Sequence, residues 1–157
     1  MSSFRWLLFL HIASVLALLG THGTSMTVLY RIRRERDRAK ILSLVTLSGE
    51  TILPMYISLA AILVTGVLLG LKVHVFSEWW IWTAIVLLVV TAALMGMVAR
   101  PYFARVKEAC QMRPSGVPRV SDEELGDIVQ ASTAHVISAI GVIGLLAILY
   151  LMIFQPH

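Results

Sequence analysis

One cysteine, Cys110, occurs in 157 residues. That count excludes an intrachain disulfide and any Cys-x-x-Cys metal or redox pair. Charge is scarce too: Asp, Glu, Lys and Arg supply 14% of the sequence, where a soluble domain carries about 25%. No Gly-rich phosphate loop, no Ser-His-Asp order and no His-Glu-x-x-His occurs, so no motif announces phosphoryl transfer, acyl transfer or zinc hydrolysis. The basic residues are not interleaved with aromatics as in a nucleic-acid surface, so nucleic acid is not an expected partner.

What is present is apolar. Hydrophobic residues make up 58% of the chain and the mean hydropathy is +0.83. A chain this short has too much surface for its volume to enclose so much apolar area. The excess must face another apolar medium, and lipid is that medium. Four apolar runs carry it, at 4–30, 51–71, 79–99 and 133–154. Each is long enough, at ~1.5 Å rise per residue, to cross a hydrocarbon core of about 30 Å. A spanning segment must satisfy its own backbone hydrogen bonds, so these runs are helices. The expected fold class is all-α: a transmembrane four-helix bundle forming a single integral membrane domain over 1–157, with helices near 5–30, 51–71, 79–99 and 122–154. The first run reads as a retained helix rather than a removed signal, because it is long, lacks an Ala-x-Ala site and is stopped by the basic run 31–40.

Charge placement sets the orientation. Eleven Lys and Arg residues fall in the connections 31–48 and 100–131, against two, Arg5 and Lys72, on the other side. Basic residues stay cytoplasmic. The loops 31–48 and 100–121 are therefore expected in the cytoplasm and both termini outside, on the periplasmic side of a bacterial inner membrane. The lipid bilayer is the expected partner, with anionic lipid headgroups at the cytoplasmic loops and a homo-oligomer or membrane partner beside it.

Local signals divide the runs. Glu50 precedes the second run, where a helix N-terminus would favour an acid, and Pro54 sits in its first turn, where proline is tolerated. Trp79, Trp80 and Trp82 suit the headgroup level as an aromatic belt. Arg100-Pro101 is expected to end the third helix. Ser121 with Glu124 makes a capping box for a helix running on into the fourth run. Small residues at helical spacing, Ala13, Ala17, Thr21 and Thr24 against Ala134, Ser138, Gly141 and Gly144, predict that the first and fourth helices pack together.

Polar groups inside a membrane are the candidate sites. His11, Ser14, His22 and Ser25 share a stripe of the first helix, and His135 lies near the cytoplasmic end of the fourth. Two readings stand side by side. In one, His22 and His135, with His11 as a further candidate, bind a cofactor between helices: a b-type haem or copper, for which Met26, Met55, Met95, Met97 and Cys110 are soft ligands. In the other, these side chains are hydrogen-bonding contacts between helices, worth about 0.6 kcal/mol each. The second is the leading expectation: a structural or accessory subunit of unknown biochemical activity with no catalysis of its own. His74 falls in a loop and could pair with His11.

Short motifs spread over the chain also carry a likeness. Leu10-His11-Ile12, the basic exit after the first run, Arg100-Pro101-Tyr102 and the tail Met152-Ile153-Phe154-Gln155-Pro156 resemble a family of predicted bacterial integral membrane proteins of unknown function, distantly similar to copper-resistance D membrane proteins. The resemblance implies four helices, an inner-membrane setting and a copper or haem link, and it carries over one position, His11. The chain departs from the family where a Trp-x-Gly-Gly segment is usual, reading Leu18-Leu19-Gly20-Thr21-His22 instead.

Overall fold

The computed structural model describes residues 2–156. The chain runs α1 (Ser2–Ile32), α2 (Arg38–Glu50), α3 (Ile52–Val73), a short 3₁₀ turn (Val75–Ser77), α4 (Trp79–Ala109), α5 (Asp122–Gln130) and α6 (Thr133–Phe154). No strand forms among the described residues; a single bridge, Met112 to Pro118, pins the loop after α4. Four segments are long and apolar enough to cross a membrane: α1, α2 with α3, α4, and α5 with α6.

The breaks have local causes. Pro54 has no N–H to give to the carbonyl of Glu50, and its ring crowds that carbonyl. The helix therefore interrupts at Thr51 and restarts at Ile52, with the Met55 N–H bonded to Thr51 O at 3.0 Å. The segment expected as a polar connection is thus largely α2, which leads into α3. Asp37 starts it by accepting from the Ala39 and Lys40 N–H groups at 2.9 and 3.3 Å. Glu50 ends α2, exposed, so it does not occupy the helix N-terminus expected for it.

Pro101 does not end the third helix. α4 continues through it to Ala109, because Tyr102, Val106 and Ala109 bury one face of the extension and neighbouring elements can hold a helix past a missing backbone bond. Ser121 caps α5, its hydroxyl accepting from Glu124 N–H at 3.1 Å. The helix does not run unbroken from there into the fourth run: Ala131, at φ −50°, ψ 143°, separates α5 from α6. Earlier, in the loop between α4 and α5, Gly116 at φ 78° makes a turn that a side chain would strain.

The helices associate in pairs. α1 packs along α3, and α4 along α6. The predicted pairing of the first and fourth helices is therefore a minor contact, made where Tyr30 Oη donates to Ser138 Oγ at 2.9 Å and where His22 meets Gly141. Ala134, Ser138, Gly141 and Gly144 are buried as small residues should be, but Ala17 of the opposing stripe is exposed. α1 instead turns Leu18, Val28 and Leu29 inward.

At about 46 Å for 31 residues, α1 and α4 outreach a hydrocarbon core of ~30 Å. Their overhanging ends meet α2 and α5 in one core built from Leu29, Ile32, Ile41, Val106, Val129 and Ile137, among others. Arg38 ties it, donating to Ala109 O at 2.7 Å, Val120 O at 2.9 Å and Asp122 Oδ1 at 2.7 Å. At the opposite end the buried set is small: Trp80, Ile81, Ala84 and Leu151. Trp80 is core rather than belt, while Trp79 and Trp82 remain outward, Trp82 Nε1 donating to Phe76 O at 3.0 Å.

Candidate functional site

Because the helices pair two by two, a space remains between the pairs. It measures about 340 Å³ and lies between α1, α2 and α3 on one side and α4 and α6 on the other. Its walls are apolar, which is the usual character of a small-molecule site. Away from the cations at one end, the polar side chains lining it are few: His22 and Ser25 from α1, Ser48 from α2, Tyr56 from α3 and Thr91 from α4.

Ser25 and Ser48 belong to a hydroxyl cluster at the α2–α3 break. Ser48 Oγ donates to Ser25 Oγ at 3.2 Å, Ser25 Oγ lies 3.0 Å from Thr51 Oγ1, and Thr51 Oγ1 donates to Ser48 O at 2.8 Å. At the break the Ser48 carbonyl turns to Thr51, accepting from both its N–H, at 3.3 Å, and its hydroxyl.

His22 lies one turn from Ser25 and rests on α6 at Gly141. A Cβ at position 141 would come within 2.6 Å of His22 Nε2, so the ring and the glycine fit only as a pair. Nε2 is buried and has no hydrogen-bond partner. The same geometry recurs twice. His11 rests on Gly66 of α3, its Cε1 3.2 Å from the position of an added Cβ, and Thr91 rests on Gly144 of α6 at 2.6 Å. Each of these three polar side chains is received by a glycine of a neighbouring helix, the close approach that small residues permit in lipid.

His11 is also hydrogen-bonded. Its Nδ1 lies 2.9 Å from Thr65 Oγ1, and that hydroxyl donates to the Ala61 carbonyl one turn back. The hydroxyl proton is therefore committed, and Nδ1–H of a neutral His11 is the donor. His11 does not pair with His74, which is exposed and caps α3 in the left-handed conformation at φ 57°.

His135 is not brought to the cavity. It lies about 200° around α6 from the cavity-lining Ile137, exposed, with Nε2 3.4 Å from Arg33 Nη2. Arg33 is itself held by Val129 O and Ala131 O at 3.4 and 3.0 Å. His22 and His135 therefore do not face a common ligand. The sulfur candidates separate similarly. Met26, Met55 and Met95 line the cavity with His22. Met97 is exposed, and Cys110 is buried in the loop-end core. Burial pushes the Cys110 thiol above its ordinary range, with Arg38 opposing, and its place in that core keeps it apart from His22 and the cavity. No group of three or more His, Cys, Asp or Glu suited to a metal ion occurs among the described residues.

Two cationic residues stand at one end of the cavity. Arg100 and Lys107 both line it and both are exposed; seven positions apart, they lie two turns along the same face of α4. The sequence pattern singled out Arg100 alone, because Lys107 was expected in a loop. Ser48 escaped notice because the segment holding it read as a connection, and Thr51 because it read as the start of the second span; only the packing of α2 on α1 brings the three hydroxyls together.

The family model described as predicted integral membrane protein (DUF2269) matches residues 5–156. No curated protein and no solved structure matches the chain. With four membrane-capable helices and a match over nearly its whole length, the chain belongs to the DUF2269 family of predicted integral membrane proteins, whose function is unknown.

Proposed function

We propose that this protein is a structural or accessory subunit of a bacterial inner membrane without catalysis of its own, acting with copies of itself or with a membrane partner. The observation that supports this reading is the seating of its intramembrane histidines. His11 is hydrogen-bonded to Thr65 and lies on Gly66, and His22 lies on Gly141. Both rings are used in holding helices together. The decisive experiment is an absorption spectrum, oxidised and reduced, of protein purified in mild detergent, with metal analysis of the same sample. A colourless protein without stoichiometric metal is the expected result. A Soret band lost in His22→Ala would overturn it.

A second reading has one observation in its favour: His22 Nε2 lacks a partner, and Met26, Met55 and Met95 line the same cavity. An imidazole with thioethers is a donor set for a soft metal such as Cu(I), or one axial position of a b-haem. When bound, such a group would supply redox chemistry. His22 would hold it, and His135, on the far face of α6, would not. Bound copper lost in His22→Ala would establish this reading.

The orientation belongs to the same proposal: termini outside, loop-end core in the cytoplasm, supported by the Lys and Arg asymmetry. Arg36→Cys should resist an impermeant thiol reagent in intact cells and react after permeabilisation, with little background from buried Cys110. Labelling in intact cells would reverse the topology.

A further inference from the structure

The geometry points to the cavity between the helix pairs as a binding site for one anionic phospholipid, its acyl chain between α3 and α4 and its phosphate at Arg100 and Lys107. The assignment goes beyond the accessory reading and does not depend on it, since it concerns a lipid and not a chromophore or metal.

Four observations carry it. First, α3 and α4 scarcely touch, and two residues of α3 that line the cavity, Ile52 and Tyr56, are 41% and 45% exposed. A ligand already dissolved in the bilayer can therefore enter sideways. Second, the cavity extends along α4 from Leu88 to Lys107; the stretch before the first cation, Leu88 to Arg100, rises about 18 Å, close to the ~15 Å of one leaflet. Third, the space is real: a Cβ added at Gly96, in the middle of that wall, meets nothing within 4 Å. Fourth, the charge at its mouth is uncompensated. The ion pairs among the described residues join Arg38 to Asp122, Lys40 to Asp37 and Arg119 to Glu108, and none uses Arg100 or Lys107. Basic pockets between membrane helices are a recurrent way of holding acidic headgroups, and an unpaired Arg with a Lys two turns along the same face suits a phosphate diester.

Free phosphate would satisfy the cations but leave the apolar length empty. A zwitterionic lipid would fill the length but bring its own cation to the mouth. Both the tail and the net negative charge are therefore required, and phosphatidylglycerol is the simplest probe that has them.

The test is native mass spectrometry of the full chain in mild detergent, titrated with phosphatidylglycerol or with phosphatidylcholine of the same acyl chains. Preferential retention of one phosphatidylglycerol is expected. Arg100→Gln with Lys107→Gln should reduce that preference roughly thirtyfold, taking about 1 kcal/mol for each basic residue. Arg34→Gln with Arg36→Gln removes the same charge from exposed positions outside the cavity and should leave the preference intact. Gly96→Leu fills the wall, leaves both cations in place and should abolish retention, while its thermal unfolding in detergent remains that of the wild type. Equal retention of both lipids overturns the proposal. So does an equal loss in the two charge variants, which would mean diffuse attraction, or full retention by Gly96→Leu, which would mean that no chain enters the cavity.

Discussion

At the loop end of the molecule, side chains from five helices close on one another and main-chain carbonyls are held by long polar side chains. Leu29, Ile32, Val106 and Ile137 are essentially inaccessible there, Arg38 grips the carbonyl of Ala109 at the end of α4 and that of Val120 in the loop after it, and Tyr102 Oη donates to Val129 O at 2.9 Å. At the opposite end the helices stand as two pairs with four residues in the buried cluster, and a cavity between the pairs runs from the middle of the spans to the loop-end core. The difference follows from the solvent. Beyond the hydrocarbon, burying a leucine removes it from water and stabilises the contact. Inside the bilayer the same leucine exchanges lipid for protein and gains little, so association there rests on close approach and a few hydrogen bonds. One chain thus uses two packing regimes, divided near Ser25 on α1 and Gly141 on α6.

The sharpest way to break this comparison is at Arg38, whose side chain is 12% exposed while its partner Asp122 is 89% exposed. Arg38→Ala leaves the carbonyls of Ala109 and Val120 without their donor and should lower stability by about 3 kcal/mol, as hydrogen bonds to a charged group are the strong ones. Asp122→Asn removes only a solvent-screened ion pair and should cost less than about 1 kcal/mol. Denaturation in mild detergent reads both. Equal effects would mean that the ion pair, and not the carbonyl clamp, holds the loop end together.

A smaller effect is expected within the bilayer. Gly141→Ala brings a methyl to 2.6 Å from the His22 ring and should destabilise by roughly 2 kcal/mol, as overpacking does. Adding His22→Ala in the same chain should return most of that loss, so the double-mutant cycle carries a favourable coupling. Gly20→Ala, on an open face of α1, is the control and should be neutral. The smallest effect belongs to His11→Ala. Losing the bond to Thr65 should cost about 0.6 kcal/mol, the ordinary value for a hydrogen bond between membrane helices. A loss of several kcal/mol in the same unfolding assay would show that His11 does more than join α1 to α3.

Much of this architecture can be read in the residues, and the exceptions are instructive. The apolar runs mark the four spans because length and hydropathy are local properties that the bilayer tests directly. Ser121 signals its cap because capping depends on three neighbouring residues. Proline is less transparent. Pro54 and Pro101 carry the same local signal, yet the first goes with a break at Thr51 and the second is carried through, because the helix after Pro101 has a buried face to hold it. Histidine spacing placed His22 and His135 at similar depths, but spacing along a helix says nothing about which way a second helix is rotated. His135 turns to Arg33, and His22 turns to Gly141.

The sequence by itself determined that the chain is helical, that four segments suit a bilayer and that its basic residues gather at one end, since each follows from composition over a stretch of consecutive residues. Only the tertiary structure decided that α1 joins α3 while α4 joins α6, that Ser25, Ser48 and Thr51 share one cluster, and that a cavity with Arg100 and Lys107 at its mouth separates the pairs. Those outcomes depend on which faces meet across a medium that rewards every apolar face alike. In such a medium the positions of a few glycines, hydroxyls and prolines settle the choice.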